Sequence, residues 1–291
     1  VLYAYYTYDD GDGERNRLAC YDVSADDPAE THTTLFEGIP GDRIHNGGRI
    51  TFGPENYLWM AVGDAGASDR HPQSVSSPAG KILRLEPDGS APASNPDLGD
   101  EADPRVFSYG HRNPQGITFL PDGTPVVSEH GPAARDEVLI LSPGDNHGFP
   151  EARDGEEYPG TDYARPVVNT GPSEGWAPAG SVFYAGTAVP SLRNRLLVGG
   201  LVSERINVVT LAPEDGPELD ATRGTRYDAD WMDPDWRAVA HPIFEGELGR
   251  IRHVEQGPDG ALYAVTSNRD GRASDAFPRE GDDRLVRITP A

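Results

Sequence analysis

The sequence predicts an all-β chain with the architecture of a β-propeller made of four-stranded antiparallel blades, and three observations lead there. Gly and Pro are abundant, 34 and 27 of 291 residues, a density of punctuation that favours many short strands over long helices. A strand–turn–strand unit recurs: Ile50 to Phe52 before Leu58 to Val62, Ile117 to Phe119 before Pro125 to Glu129, and Val254 to Gln256 before Ala261 to Thr266. The turns between them are Gly53-Pro54-Glu55-Asn56, Pro121-Asp122-Gly123 and Pro258-Asp259-Gly260, the residue types that close a β-hairpin. Repetition of one hairpin at this spacing is the mark of a propeller blade.

Further alternating runs extend each hairpin: Lys81 to Glu86, Val106 to Tyr109, Glu137 to Ser142 and Leu285 to Thr289. A more divergent unit spans Ser181 to Leu211, with Leu196-Leu197-Val198-Gly199-Gly200 as its buried strand. The opening stretch, residues 1–40, supplies three strands. The expected organisation is a single propeller domain over 1–291. Residues 1–40 form a partial blade, 41–110, 111–175 and 176–245 form blades, and 246–291 form a last, incomplete one. The segments Arg153 to Trp176 and Glu214 to Trp236 are polar and rich in Gly, Pro and Asp, which predicts loops over one face.

With 48 acidic against 25 basic residues, the formal charge is −23. Nucleic acid and anionic membrane surfaces are excluded as partners on that balance. Lys81 is the only lysine. An acidic, nearly lysine-free surface suits a chain that must stay hydrated where salt screens charge over only ~3 Å, so a salt-loving source is expected. No apolar run approaches the roughly 18 residues of a membrane span, and Val1 to Tyr8 lack the pattern of an export signal. The single cysteine, Cys20, sits in an alternating run, which predicts core packing and not catalysis.

In a propeller, inner-strand ends from different blades meet at one site. His45-Asn46-Gly47-Gly48-Arg49, Gly63-Asp64-Ala65-Gly66, Gly110 to Gly116, Glu129-His130-Gly131-Pro132 and Arg250-Ile251-Arg252 all fall at such ends. His45, flanked by glycines, could take a proton from a hydroxyl with Asp64 orienting its ring; equally, each could close a capped turn. Arg250 and Arg252 share one strand face and Arg112 opens another inner strand. Guanidinium groups so placed suit a ligand with several carboxylates. The carbonyls of Gly131 and Pro132 are hard oxygen donors of the kind calcium accepts, or parts of a plain turn. No nucleotide-binding, zinc or serine-elbow signature occurs, so redox chemistry would need a non-nucleotide cofactor.

Taken together, these motifs resemble those of the soluble PQQ-dependent glucose and aldose sugar dehydrogenases. The shared text is His45-Asn-Gly-Gly-Arg-Ile, Gly63-Asp-Ala-Gly, Gly80-Lys-Ile-Leu-Arg-Leu, Tyr109-Gly-His-Arg-Asn-Pro-Gln-Gly, Glu129-His-Gly-Pro with Asp136-Glu137-Val138, and Gly144-Asp-Asn-His-Gly-Phe-Pro. The resemblance implies a six-bladed propeller whose N-terminal blade region is missing or incomplete here. It implies pyrroloquinoline quinone (PQQ) and calcium as cofactors and an aldose oxidised at its anomeric carbon to the lactone, with an external electron acceptor. It also implies His45 as general base supported by Asp64. Arg112, Asn113, His130, Arg250 and Arg252 would bind the cofactor, and Gly131 and Pro132 the metal. Val202 stands where relatives often place a cofactor-binding lysine. The expected location is extracellular or periplasmic. The alternatives are a calcium-dependent sugar lactonase and a non-catalytic sugar- or protein-binding propeller.

Overall fold

The computed structural model describes residues 1–290, and among these the secondary structure is five antiparallel sheets with three one-turn 3-10 segments. The chain resolves into two compact units, residues 1–114 with 141–152, and residues 115–140 with 153–291. Both are built from hairpins whose turn chemistry closes them locally.

The first unit holds two sheets. One joins β1 (Leu2–Asp9), β2 (Glu14–Tyr21) and β3 (Thr33–Pro40); the other joins β4 (Ile50–Phe52), β5 (Leu58–Val62), β6 (Lys81–Leu85) and β7 (Val106–Tyr109). Its core comprises Leu18, Ile39, Leu58, Met60, Val62, Leu83, Leu85 and Val106. Every residue of β5 is buried, so that strand reads as a continuous apolar run rather than as an alternation. Cys20, expected in the core, is only half-buried, paired with Tyr3 and Thr33 on neighbouring strands.

The second unit holds three sheets. The first has the order β11-β10-β9-β8, from β8 (Pro114–Phe119), β9 (Pro125–Glu129), β10 (Glu137–Ile140) and β11 (Val168–Asn169). The next has five strands, β12 (Pro178–Tyr184), β13 (Arg195–Gly200), β14 (Ile206–Pro213), β15 (Thr225–Tyr227) and β16 (Trp236–Ile243), in the order β12-β13-β14-β16-β15. The last joins β17 (Ile251–Gln256), β18 (Leu262–Thr266) and β19 (Leu285–Ile288).

The Pro-Asp-Gly turns close as their sequence demands. At β8–β9 the Leu120 amide donates to the Thr124 carbonyl at 2.9 Å and Thr124 N to Asp122 Oδ1 at 3.0 Å. Gly123 supplies φ +92°, a conformation costly for other residues. At β17–β18 the Gly257 amide donates to Ala261 at 2.8 Å and Ala261 N to Asp259 Oδ1 at 3.1 Å. The two long segments expected as loops each contribute a short strand. Val168–Asn169 pairs with β10, and Thr225–Tyr227 pairs with β16 as a fifth strand.

Candidate functional site

In the first unit, His45 and Asp64 meet. His45 Nδ1 lies 2.8 Å from Asp64 Oδ1, with the two side chains 19% and 2% exposed. The backbone makes the approach possible: a Cβ on Gly63 would stand 2.0 Å from the His45 carbonyl, and one on Gly47 would stand 2.4 Å from the Ala61 carbonyl. Only glycine fits at either position. His45 itself takes φ +56°, and its carbonyl is held by the Ala65 amide at 3.0 Å.

Asp64 is fixed from three sides. Its Oδ1 accepts from Gly66 N at 2.9 Å as well as from the imidazole, and its own amide donates to the Arg112 carbonyl at 2.7 Å. Asn113 Oδ1 accepts from Gly47 N at 3.2 Å. Four of the sequence-predicted residues, His45, Asp64, Arg112 and Asn113, are thus brought into one hydrogen-bonded constellation. Because a carboxylate can only accept, the proton of a neutral His45 ring sits on Nδ1 and the Nε2 lone pair is presented outward. That is the tautomer of a general base, and a buried carboxylate behind it stabilises the imidazolium once a proton is taken.

Behind Asp64 runs the loop 64–80, and Lys81 holds it. The buried Lys81 Nζ donates to the carbonyls of His71 at 2.7 Å, Pro72 at 2.9 Å and Ala79 at 2.9 Å. Burial pulls the ammonium down to about 7. Burial, and then the Lys81 charge, pushes the neighbouring His111 down to about 3, so that ring is neutral. His111 Nε2 is 2.9 Å from Ser108 Oγ, and its ring packs 4.8 Å from that of His147.

In the second unit, Gly131 opens a turn in which Ala133, Ala134 and Arg135 all have positive φ, 48°, 68° and 56°. A Cβ on Gly131 would stand 1.9 Å from the Arg135 carbonyl oxygen, so the turn requires glycine. Buried Asp136 anchors it: Oδ1 accepts from Gly131 N at 3.1 Å, and Oδ2 from Trp176 N at 2.6 Å and Ala177 N at 2.8 Å. Among the described residues no hydrogen bond uses the Gly131 or Pro132 carbonyl. Two hard oxygen donors of the kind calcium accepts are therefore available on this turn, out of the roughly six to eight that calcium takes. His130 is half-buried at the end of β9.

Arg250 and Arg252 converge, on a residue the sequence reading passed over. Arg250 is buried, its Nε and Nη2 at 3.0 and 2.9 Å from Asp270 Oδ2 and its Nη1 at 2.9 Å from the Leu201 carbonyl. Arg252 Nη2 stands 3.7 Å from the same carboxylate oxygen with its side chain 43% exposed. Asp270 precedes Gly271, and an Asp-Gly pair reads as a turn; only the fold shows that it answers Arg250. Arg252 keeps its reach to an outside anion, while Arg250 is committed to Asp270 and Leu201. Val202, next to that carbonyl, is 65% exposed. Within the second unit, Arg252 is the guanidinium chemically suited to an anionic cofactor, with Arg250 holding the strand end.

Comparison with known proteins follows this geometry. The family model described as glucose / sorbosone dehydrogenase matches residues 1–275. An uncharacterized protein of Synechocystis is 30% identical over 93% of this chain and 66% of its own length. An aldose sugar dehydrogenase of Escherichia coli is 29% identical over 92% of this chain and 70% of its own. The PQQ-bound form of an aldose sugar dehydrogenase from Streptomyces coelicolor superposes with a TM-score of 0.75 at 33% identity, covering 99% of this chain and 74% of that one. The chain spans about two thirds of the length of the two curated relatives. Its fold class is the all-β propeller class of these neighbours.

Proposed function

Because the chain belongs to the glucose / sorbosone dehydrogenase family, we propose that it oxidises an aldose at the anomeric carbon to the lactone, using PQQ and calcium and passing electrons to an external acceptor. The observation that carries this reading is the His45–Asp64 pair at 2.8 Å, with the carboxylate buried and the ring open on its other edge.

When bound, PQQ supplies the two-electron acceptor for the C1 hydrogen. In the first unit Arg112 and Asn113 are the proposed cofactor-binding residues; in the second they are His130 and Arg252, with Arg250 behind Arg252, and the Gly131 and Pro132 carbonyls would hold calcium. His45 Nε2 removes the proton of the anomeric hydroxyl as the C1–H bond breaks, and Asp64 stabilises the imidazolium that results. The buried Asp64 has its Oδ1 lone pairs taken by the Gly66 amide and the ring, so it orients His45 and does not itself carry the proton away. The proton then leaves through the exposed edge of the ring. The acidic, lysine-poor composition supports work in a salt-rich setting.

The test is a titration of the chain with PQQ and calcium chloride in molar salt, followed by dye reduction on adding glucose and other aldoses. Saturable binding with sugar-dependent reduction is expected. Release of acid from a sugar lactone without any dye reduction would instead support a hydrolase.

A further inference from the structure

We propose that the second unit carries a separate small-molecule site, for an oxygen-rich monoanion of sugar-acid size, in the cavity between β14, β15, β16 and the segment before β12. The cavity measures about 200 Å³, room for one small ring or open-chain acid and not for a larger ligand. It lies on β14, where Asn207 faces Pro242 of β16, and at the edge where Thr225 of β15 faces Ala240.

Its wall is rich in donors that the chain does not use. Asn207 is buried; its Oδ1 takes Arg205 Nε at 2.8 Å, yet its Nδ2 has no acceptor. A buried amide N–H left without a partner is costly, on the order of 1–3 kcal/mol, and natural structures rarely leave one. Tyr227 lines the same cavity. Burial, and then Glu174, raises its pKa, so it remains a protonated donor. His241 completes this side; burial, and then the charges of Arg195 and Arg223, pull its pKa down, keeping the ring neutral and able to donate once.

The charges select the ligand's charge. Arg205 is answered by Glu174 and by Glu245, the latter at 3.0 Å. Arg223, exposed and lining the cavity, makes no ion pair within 4.0 Å among the described residues, its acidic neighbour Asp220 acting on it only at longer range. So answered, Arg223 can still take one negative charge, while the half-exposed Glu174 lining the same cavity disfavours a second. A carboxylate on a polyhydroxylated chain meets both conditions: the carboxylate pairs with Arg223 bidentately and the hydroxyl oxygens accept from Asn207 and Tyr227. This site does not depend on the dehydrogenase reading.

The test uses sodium gluconate as probe at constant ionic strength, followed by calorimetry and by the fluorescence of Trp176, which lines the cavity. Saturable binding is expected, weakened about tenfold by Arg223→Gln, equivalent to about 1.4 kcal/mol, and less by Tyr227→Phe, and unchanged by His45→Ala. Absence of saturable binding, equal affinity in Arg223→Gln, or loss of binding in His45→Ala would overturn the proposal. Glucose binding as tightly as gluconate, or sulfate binding tighter, would overturn the ligand class.

Discussion

Behind each candidate site loop lies one buried charged side chain, and the two units use opposite signs. In the first unit Lys81 donates to three backbone carbonyls and so pins the loop that begins at Asp64. In the second unit Asp136 accepts from three backbone amides and so pins the turn that carries Gly131 and Pro132. In both cases backbone dipoles answer the charge in these contacts. The difference lies in what surrounds them. Lys81 has the imidazoles of His71 and His111 for neighbours, both with lowered pKa, whereas Asp136 adjoins Glu137, which stands opposite Glu129 across β9 and β10. Burial, and then the Glu129 charge, pushes the Glu137 carboxyl well above the usual carboxylate range. The cation is thus solitary and strained by desolvation alone, while the anion sits among like charges that relax by holding a proton.

The largest expected effect comes from Asp136→Ala. Three amides would lose their acceptor, two of them leading into β12, and a cost of about 3–5 kcal/mol is expected in urea unfolding. A loss under about 1 kcal/mol would show that water replaces the carboxylate and that this anchor is weaker than the Lys81 one.

Lys81→Met should cost about 3 kcal/mol at pH 6 by orphaning three carbonyls. The cost should also depend on pH in a definite direction. The folded Lys81 titrates at about 7, and an unfolded lysine near 10.4. Between those values the unfolded chain holds more protons, so the wild-type chain's stability relative to Lys81→Met should rise with pH from about 7 to about 10. A difference flat with pH would mean that the carbonyl cage keeps the ammonium at its ordinary value.

The smallest effect is expected from Glu137→Gln. The amide can still accept from Asn169 Nδ2, now 2.8 Å from Oε1, while the repulsion from Glu129 is gone. Stability should rise by up to about 1 kcal/mol at pH 8 and by less at pH 5, because a carboxyl with a raised folded pKa favours folding only where it can keep its proton. A substantial loss at both pH values would show that the charged form is needed.

Much of this was legible in the sequence where residue type dictates geometry. The Pro-Asp-Gly turns announce the hairpins because those residue types favour a tight turn, and His45, Asp64, Arg112 and Asn113 stand at strand ends that such hairpins bring together. What stayed hidden depends on partners distant in sequence. Val168–Asn169 and Thr225–Tyr227 are too short to show a period, and pair only because β10 and β16 offer an edge. Lys81 at the head of an alternating strand looks like a surface residue until His71, Pro72 and Ala79 are seen around it. Asp270 looks like turn chemistry, and its pairing with Arg250 is a long-range contact that no local pattern encodes.

If His45, oriented by Asp64, removes the sugar's proton, its loss should slow reduction of the quinone and spare quinone binding. The most direct measurement is single-turnover reduction of PQQ bound in the presence of calcium, on mixing with an aldose, in the wild-type chain and in His45→Ala. Quinone binding within about twofold of wild type is expected, with a reduction rate lower by about 10²–10⁴-fold, the worth of a positioned base. Reduction at an unchanged rate in His45→Ala would contradict that role.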